Sequence, residues 1–275
     1  MGGGGYGYGG TITISGGTVN ATCDRYGAGI GGGADGSGGT INIAGSAVVT
    51  ATGAGGGAGI GSGYSRTSGN AAGQKTGGYI TIGGNAVVFA QGGNAQGPGA
   101  SIGGSGWANS DQWEGDSAGV IVIKENAVVA APQGIRSSGE GGPGPRSITI
   151  SGGTVIAGGI GLGVDTVNFA ESPANAVALT SAVLDSGTYA DEFPVTGALL
   201  LGSAVSISFT GTVGNTATAG TVTLNAPLTI PEGATLRAPP GWTLVTNGYL
   251  VNNGTVIQSA GAAITGGVSG SVTVE

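Results

Sequence analysis

Two tryptophans and three acids fall within ten residues in the stretch WANSDQWEGD, as Trp107, Asp111, Trp113, Glu114 and Asp116. Aromatic faces stack on sugar rings, and carboxylates accept hydrogen bonds from sugar hydroxyls. The group therefore reads as a carbohydrate-binding loop, and Tyr64, in another glycine-rich loop, would extend its surface along with Tyr6, Tyr8 and Tyr26. The same acids could hold Ca²⁺, which takes about six to eight oxygen ligands. Glycoside hydrolysis would need two carboxyl groups placed across the scissile bond by rigid elements. These acids share one loop, so no catalytic residue is assigned, and a polysaccharide-degrading enzyme is the lesser alternative. A plainer reading stands beside all three. The tryptophans would fold back over the scaffold, the tyrosines would pack on glycine backbone, and the acids would be solvated.

Composition removes several other classes. The chain has no histidine, which excludes Ser-His-Asp and Cys-His catalysis and histidine-bound metals. No cofactor and no metal site is expected beyond the Ca²⁺ reading. The net charge is −7, and the seven basic residues are scattered from Arg25 to Arg237, so no basic stripe exists to neutralise phosphates. Nucleic-acid binding is not expected. Membrane insertion is not expected either, because no apolar run is long enough to span a bilayer. The single cysteine, Cys23, leaves no partner for an internal disulfide. The opening MGGGGYGYGG has neither a basic nor an apolar leader segment, and it reads as the tail of a preceding repeat in a longer chain.

What positions the loops is a repeat. The quartet TITI at Thr11 returns as TINI at Thr40, YITI at Tyr79, VIVI at Val120 and SITI at Ser147. Each is followed by a tight linker and a second apolar run: TVNAT, VVTAT, VVFAQ, VVAAP and TVIAG. A glycine-flanked isoleucine then closes the unit at Ile30, Ile60 and Ile102, with weaker echoes at Ile135 and Ile160. The linker is one residue longer in the middle three copies. Aligning across it makes Val19, Val49, Val88, Val129 and Val155 equivalent. A slip of one residue would turn the second strand inside out.

With 65 glycines in 275 residues the chain could pass for a disordered tract. Disordered chains are rich in charge and poor in apolar residues, whereas this one is 39% hydrophobic and 8% charged. Alternate residues of a strand share a face, so both isoleucines of each quartet point one way and small polar residues the other. No unit can bury that face alone. Successive first strands run in the same direction without a helix-length crossover. The expected fold is all-β: a right-handed parallel β-helix, or β-solenoid, with glycine-rich loops.

The first strands begin 29, 39, 41 and 27 residues apart, and the excess falls in loops after Ser62 and after Gly103. Insertions on a solenoid tend to emerge on one side and to carry function. Residues 1–163 form the glycine-rich repeats, 164–223 read as irregular rungs or a β insertion, and 224–275 read as C-terminal rungs of a less regular kind.

The units GGTITISGGTVNAT and GAGIGGG resemble the glycine-rich repeats of large bacterial cell-surface, adhesin-like proteins. The likeness covers residues 2–163, and LTIPEGATL and VNNGTVI extend it over 224–258. The resemblance implies a non-enzymatic extracellular module, a stalk, fibre subunit or adhesive platform. Its expected partners are glycans or a host surface, adjoining repeats, or further copies end to end.

Overall fold

In a computed structural model the repeats wind into a parallel β-helix. The structure describes residues 1–65, 75–95, 97–106, 116–137, 145–157, 160 and 219–275 apart from 225–226, 231 and 234. Between 166 and 212 it describes the backbone of the strands alone.

The first rung holds β1 (Thr11–Ile14), β2 (Thr18–Thr22) and β3 (Ile30–Gly31). The next two repeat it as β4 (Thr40–Ile43), β5 (Val48–Thr52) and β6 (Ile60–Gly61), then β7 (Tyr79–Ile82), β8 (Val87–Gln91) and β9 (Ile102–Gly103). In the fourth rung the first and second strands fuse into β10 (Gly119–Ala131), followed by β11 (Ile135–Arg136); in the fifth they fuse again as β12 (Arg146–Ala157). Every strand pair among the described residues is parallel.

The register follows the isoleucines. Ile12 pairs with Ile41, Ile41 with Ile80, Ile80 with Ile121, and Ile121 with Ile148. The Val19–Val49–Val88–Val129–Val155 column also forms as aligned. The one-residue difference between linkers is absorbed by a bulge between Glu125 and Val128 against β12, so both strands keep their apolar faces inward. Ile135 and Ile160 are full members of the third column: Ile135 pairs with Ile102, Ile160 bridges Ile135, and both are buried. Each such fully buried isoleucine contributes roughly 1.5–3 kcal/mol relative to exposure.

Glycine is obligatory where the chain turns into the first strands of the second, third and fourth rungs, whereas the fifth rung carries Arg146 at that position. Gly39, Gly78 and Gly119 stack one above another with φ of 80°, 92° and 80°. A Cβ at any of them would overlap the carbonyl oxygen of the glycine one rung back.

Strands continue beyond β12 as β13 (Thr166–Phe169), β14 (Ala176–Leu179), β15 (Val183–Leu184), β16 (Thr188–Tyr189), β17 (Leu199–Leu201), β18 (Val205–Ile207) and β19 (Thr210–Thr212). Both β13 and β14 pair with β12, and β15 pairs with β18, parallel in each case. The last turns comprise β20 (Gly220–Thr223), β21 (Leu228–Ile230), β22 (Thr235–Ala238), β23 (Trp242–Val245), β24 (Leu250–Asn252), β25 (Thr255–Gln258), β26 (Ala263–Thr265), β27 (Val268–Ser269) and β28 (Thr273–Val274). They stack as three columns, β20-β23-β26, β21-β24-β27 and β22-β25-β28. Leucines and Trp242 fill most of their interior, together with Ile230, Val222 and Val256.

Candidate functional site

The insertions leave the solenoid at one corner, between the third strand of a rung and the first strand of the next. In the first rung this corner is the short turn Gly33–Gly36, closed by a Gly36 N–H to Gly33 carbonyl bond, with Asp35 at a φ of 60°. In the following rungs the same corner carries residues 66–74, 107–115 and 138–144. Trp107, Asp111, Trp113 and Glu114 lie in the second of these and fall outside the described residues. The residues that bracket the insertions are described.

Each bracket is tied by a side chain. Lys75 Nζ donates to Ser65 Oγ at 2.8 Å across 66–74. Ser105 Oγ donates to Asp116 Oδ2 at 2.5 Å across 107–115. Ser117 Oγ donates to the Pro145 carbonyl at 2.8 Å, and Ser137 Oγ accepts from the Ala118 N–H at 2.8 Å, so the ends of 138–144 are both held to the third rung.

These ties merge into one buried network. Asp116 Oδ2 also accepts from Ser62 Oγ at 3.0 Å, and Ser62 Oγ accepts from the Ser105 N–H at 2.9 Å. Lys75 Nζ forms an ion pair with Asp35 Oδ1 at 2.9 Å, and both side chains are about 95% buried, at 6% and 4% exposure. The Ser117 N–H donates to the Lys75 carbonyl at 3.1 Å, which seats Lys75 and Asp116 against each other on consecutive rungs. Among the described residues, no buried side-chain nitrogen or oxygen lacks a partner.

Burial sets the electrostatics. Removal from water raises the Asp116 carboxyl above its ordinary value, opposed by the hydrogen bonds from Ser105 and Ser62 and by the Lys75 charge. Asp35 adds to the rise. Asp116 is thus a fixed acceptor at the base of an insertion.

Tyr64 belongs to the same corner. It is 5% exposed, and its ring lies 5.7 Å from that of Tyr26 at an interplanar angle of 31°. A Cβ on Gly56 would collide with the Tyr64 ring, and one on Gly55 with the Tyr26 ring, so both tyrosines pack over bare glycine backbone. Desolvation raises the Tyr64 hydroxyl, with smaller contributions from Tyr26 and Asp35. Tyr6 and Tyr8 are by contrast 70% and 73% exposed.

Of the residues singled out from sequence, the structure therefore brings Asp116 and Tyr64 to one corner. Sequence reasoning passed over Asp35, Ser62, Ser65, Lys75 and Ser105. A signal for Lys75 was present. KTGGYITI and DSAGVIVI place Lys75 and Asp116 at the same offset before their first strands, where GSGGTINI has Gly36. Opposite charges in one column of adjacent rungs are a predictable contact.

An open hollow of about 500 Å³ lies by the first turn, lined by Met1, Gly2, Cys23, Arg25, Tyr26 and Ala34 among others. Cys23 Sγ there accepts from the Gly27 N–H at 3.2 Å.

A family model described as a beta helix repeat matches residues 12–34. That span runs from within β1 through β2 and β3 to the corner turn, which is one rung. The strand stacking defines the class of protein as a parallel β-helix, and the family match covers one of its rungs. Comparison with curated proteins and with solved structures finds no match.

Proposed function

We propose that this β-helix is a non-enzymatic display module of a bacterial surface protein or fibre, acting outside the cell. The observation that carries the reading is the tied corner. Three insertions on consecutive rungs are bracketed by side-chain hydrogen bonds, two of them inside a buried network. Loops mounted this way sit on a rigid base, and rigidity at the base lowers the ordering cost of any contact the loops make. A solenoid also spaces such loops at the interval between parallel strands, about 4.8 Å per rung.

The finer form of the proposal is adhesion through carbohydrate. Trp107 and Trp113 would stack on sugar rings, and Asp111 and Glu114 would accept hydroxyl hydrogen bonds. Asp116 is the anchoring acid of that insertion, and Tyr64 supports the corner beside it. The same acids remain the candidate Ca²⁺ ligands. A glycan array probed with the purified protein, alongside electron microscopy over a concentration series, tests this reading. Discrete rods with a glycan signal lost in Trp107→Ala or Trp113→Ala support adhesion. End-to-end fibres without glycan signal would reduce the function to structural assembly.

A further inference from the structure

The Lys75–Asp35 pair has more chemistry available than an ion pair needs. The amine and the carboxyl come from consecutive rungs, are 40 residues apart in sequence, and meet at 2.9 Å with almost no solvent access. Burying two opposite charges costs more than a surface pair of the same geometry, and the cost disappears if both charges are lost. We propose that Lys75 and Asp35 condense into an intramolecular amide bond, a covalent staple between the first two rungs.

The step is balanced without an added reagent. A proton passes from the Lys75 ammonium to the Asp35 carboxylate, leaving a neutral amine against a carboxylic acid. The nitrogen lone pair attacks Cγ of Asp35 and forms the C–N bond. A second proton moves from nitrogen to the departing hydroxyl, the C–O bond breaks, and one water leaves. The amide nitrogen keeps the last hydrogen.

Three features of the site favour this step. Lys75 Nζ already touches the carboxyl group through Oδ1 at 2.9 Å, so the two partners are held together without a search through solvent. Ser65 Oγ accepts from Lys75 Nζ at 2.8 Å and fixes its direction. The Ser117 N–H bond to the Lys75 carbonyl at 3.1 Å pins the Lys75 backbone to the next rung, so the amine is delivered from a fixed base. Once formed, an amide in this corner is shielded from hydrolysis by the same burial.

Intact-mass spectrometry of the folded chain is the test, followed by protease digestion. The expected result is a wild-type mass lighter by one water and a branched peptide joining the Lys75 and Asp35 segments. Lys75→Arg and Asp35→Ala should keep their full masses. Asp35→Asn should lose one ammonia instead of water and give the same branched peptide. Asp35 precedes Gly36, so a competing loss of water by cyclisation onto the Gly36 nitrogen must be told apart. A loss that survives in Lys75→Arg, or a linear peptide, would overturn the proposal. So would a wild-type chain of full mass that circular dichroism shows to be folded.

Discussion

Ser105 and Asp116 stand eleven positions apart and are joined by a 2.5 Å hydrogen bond from the serine hydroxyl to the carboxylate. Every residue between Gly106 and Asp116 is an insertion that this bond closes. The distance between the two ends of the insertion is thereby set by the scaffold.

Replacing Asp116 removes the acceptor for both Ser62 and Ser105. Asp116→Ala is expected to destabilise the fold by about 2–4 kcal/mol, since two buried donors lose their partner. Asp116→Asn, which keeps one acceptor oxygen, should cost less. Urea unfolding monitored by circular dichroism measures both.

The pH dependence follows from the direction of the Asp116 shift. Burial raises the folded value above the ordinary 3.8. The folded state therefore holds the proton over a window in which the unfolded chain has lost it. Stability from this group is full below about 3.8 and is lost as pH rises through the folded value. Wild type should gain stability relative to Asp116→Asn as pH falls through the folded value toward about 3.8. Paired denaturation curves across that range provide the check, and parallel curves would count against the buried carboxyl.

Gly78 and Gly10 share a column but not a cost. Gly78 has a φ of 92° and the Gly39 carbonyl against it, whereas Gly10 has a φ of 66° and open space. Gly78→Ala should cost at least about 2 kcal/mol from backbone strain and steric overlap together. Gly10→Ala should cost about 1 kcal/mol from strain alone. The difference between their thermal midpoints reads the overlap directly.

Ile80 and Thr81 are neighbours on β7 facing opposite ways. Ile80 is buried between Ile41 and Ile121, and Thr81 lies on the outer face. Ile80→Ala should lose about 2–5 kcal/mol to the transfer and cavity terms. Thr81→Ala should stay within about 0.5 kcal/mol. Comparable losses at both sites would mean that the register is shifted by one residue.

Much of this molecule was legible in one dimension. A strand alternates faces, so a quartet such as TINI at Thr40 states which side is buried. Five quartets in series state that the sheets are parallel and stacked. The Val49–Val88 alignment was recoverable for the same reason, because a slip would bury Val48 and Val87, which stand 44% exposed. What periodicity could not state was the fate of residues outside the period. Asp116 reads as one of three loop acids, yet it alone lies at the point where the insertion rejoins the column, and that point is buried. Lys75 and Asp35 occupy corners that look like solvated turns until two rungs are laid one on the other. Local spacing determines which residues form a rung. Contact across rungs depends on the lateral offset of each corner, and that offset is fixed when the whole coil closes around its core.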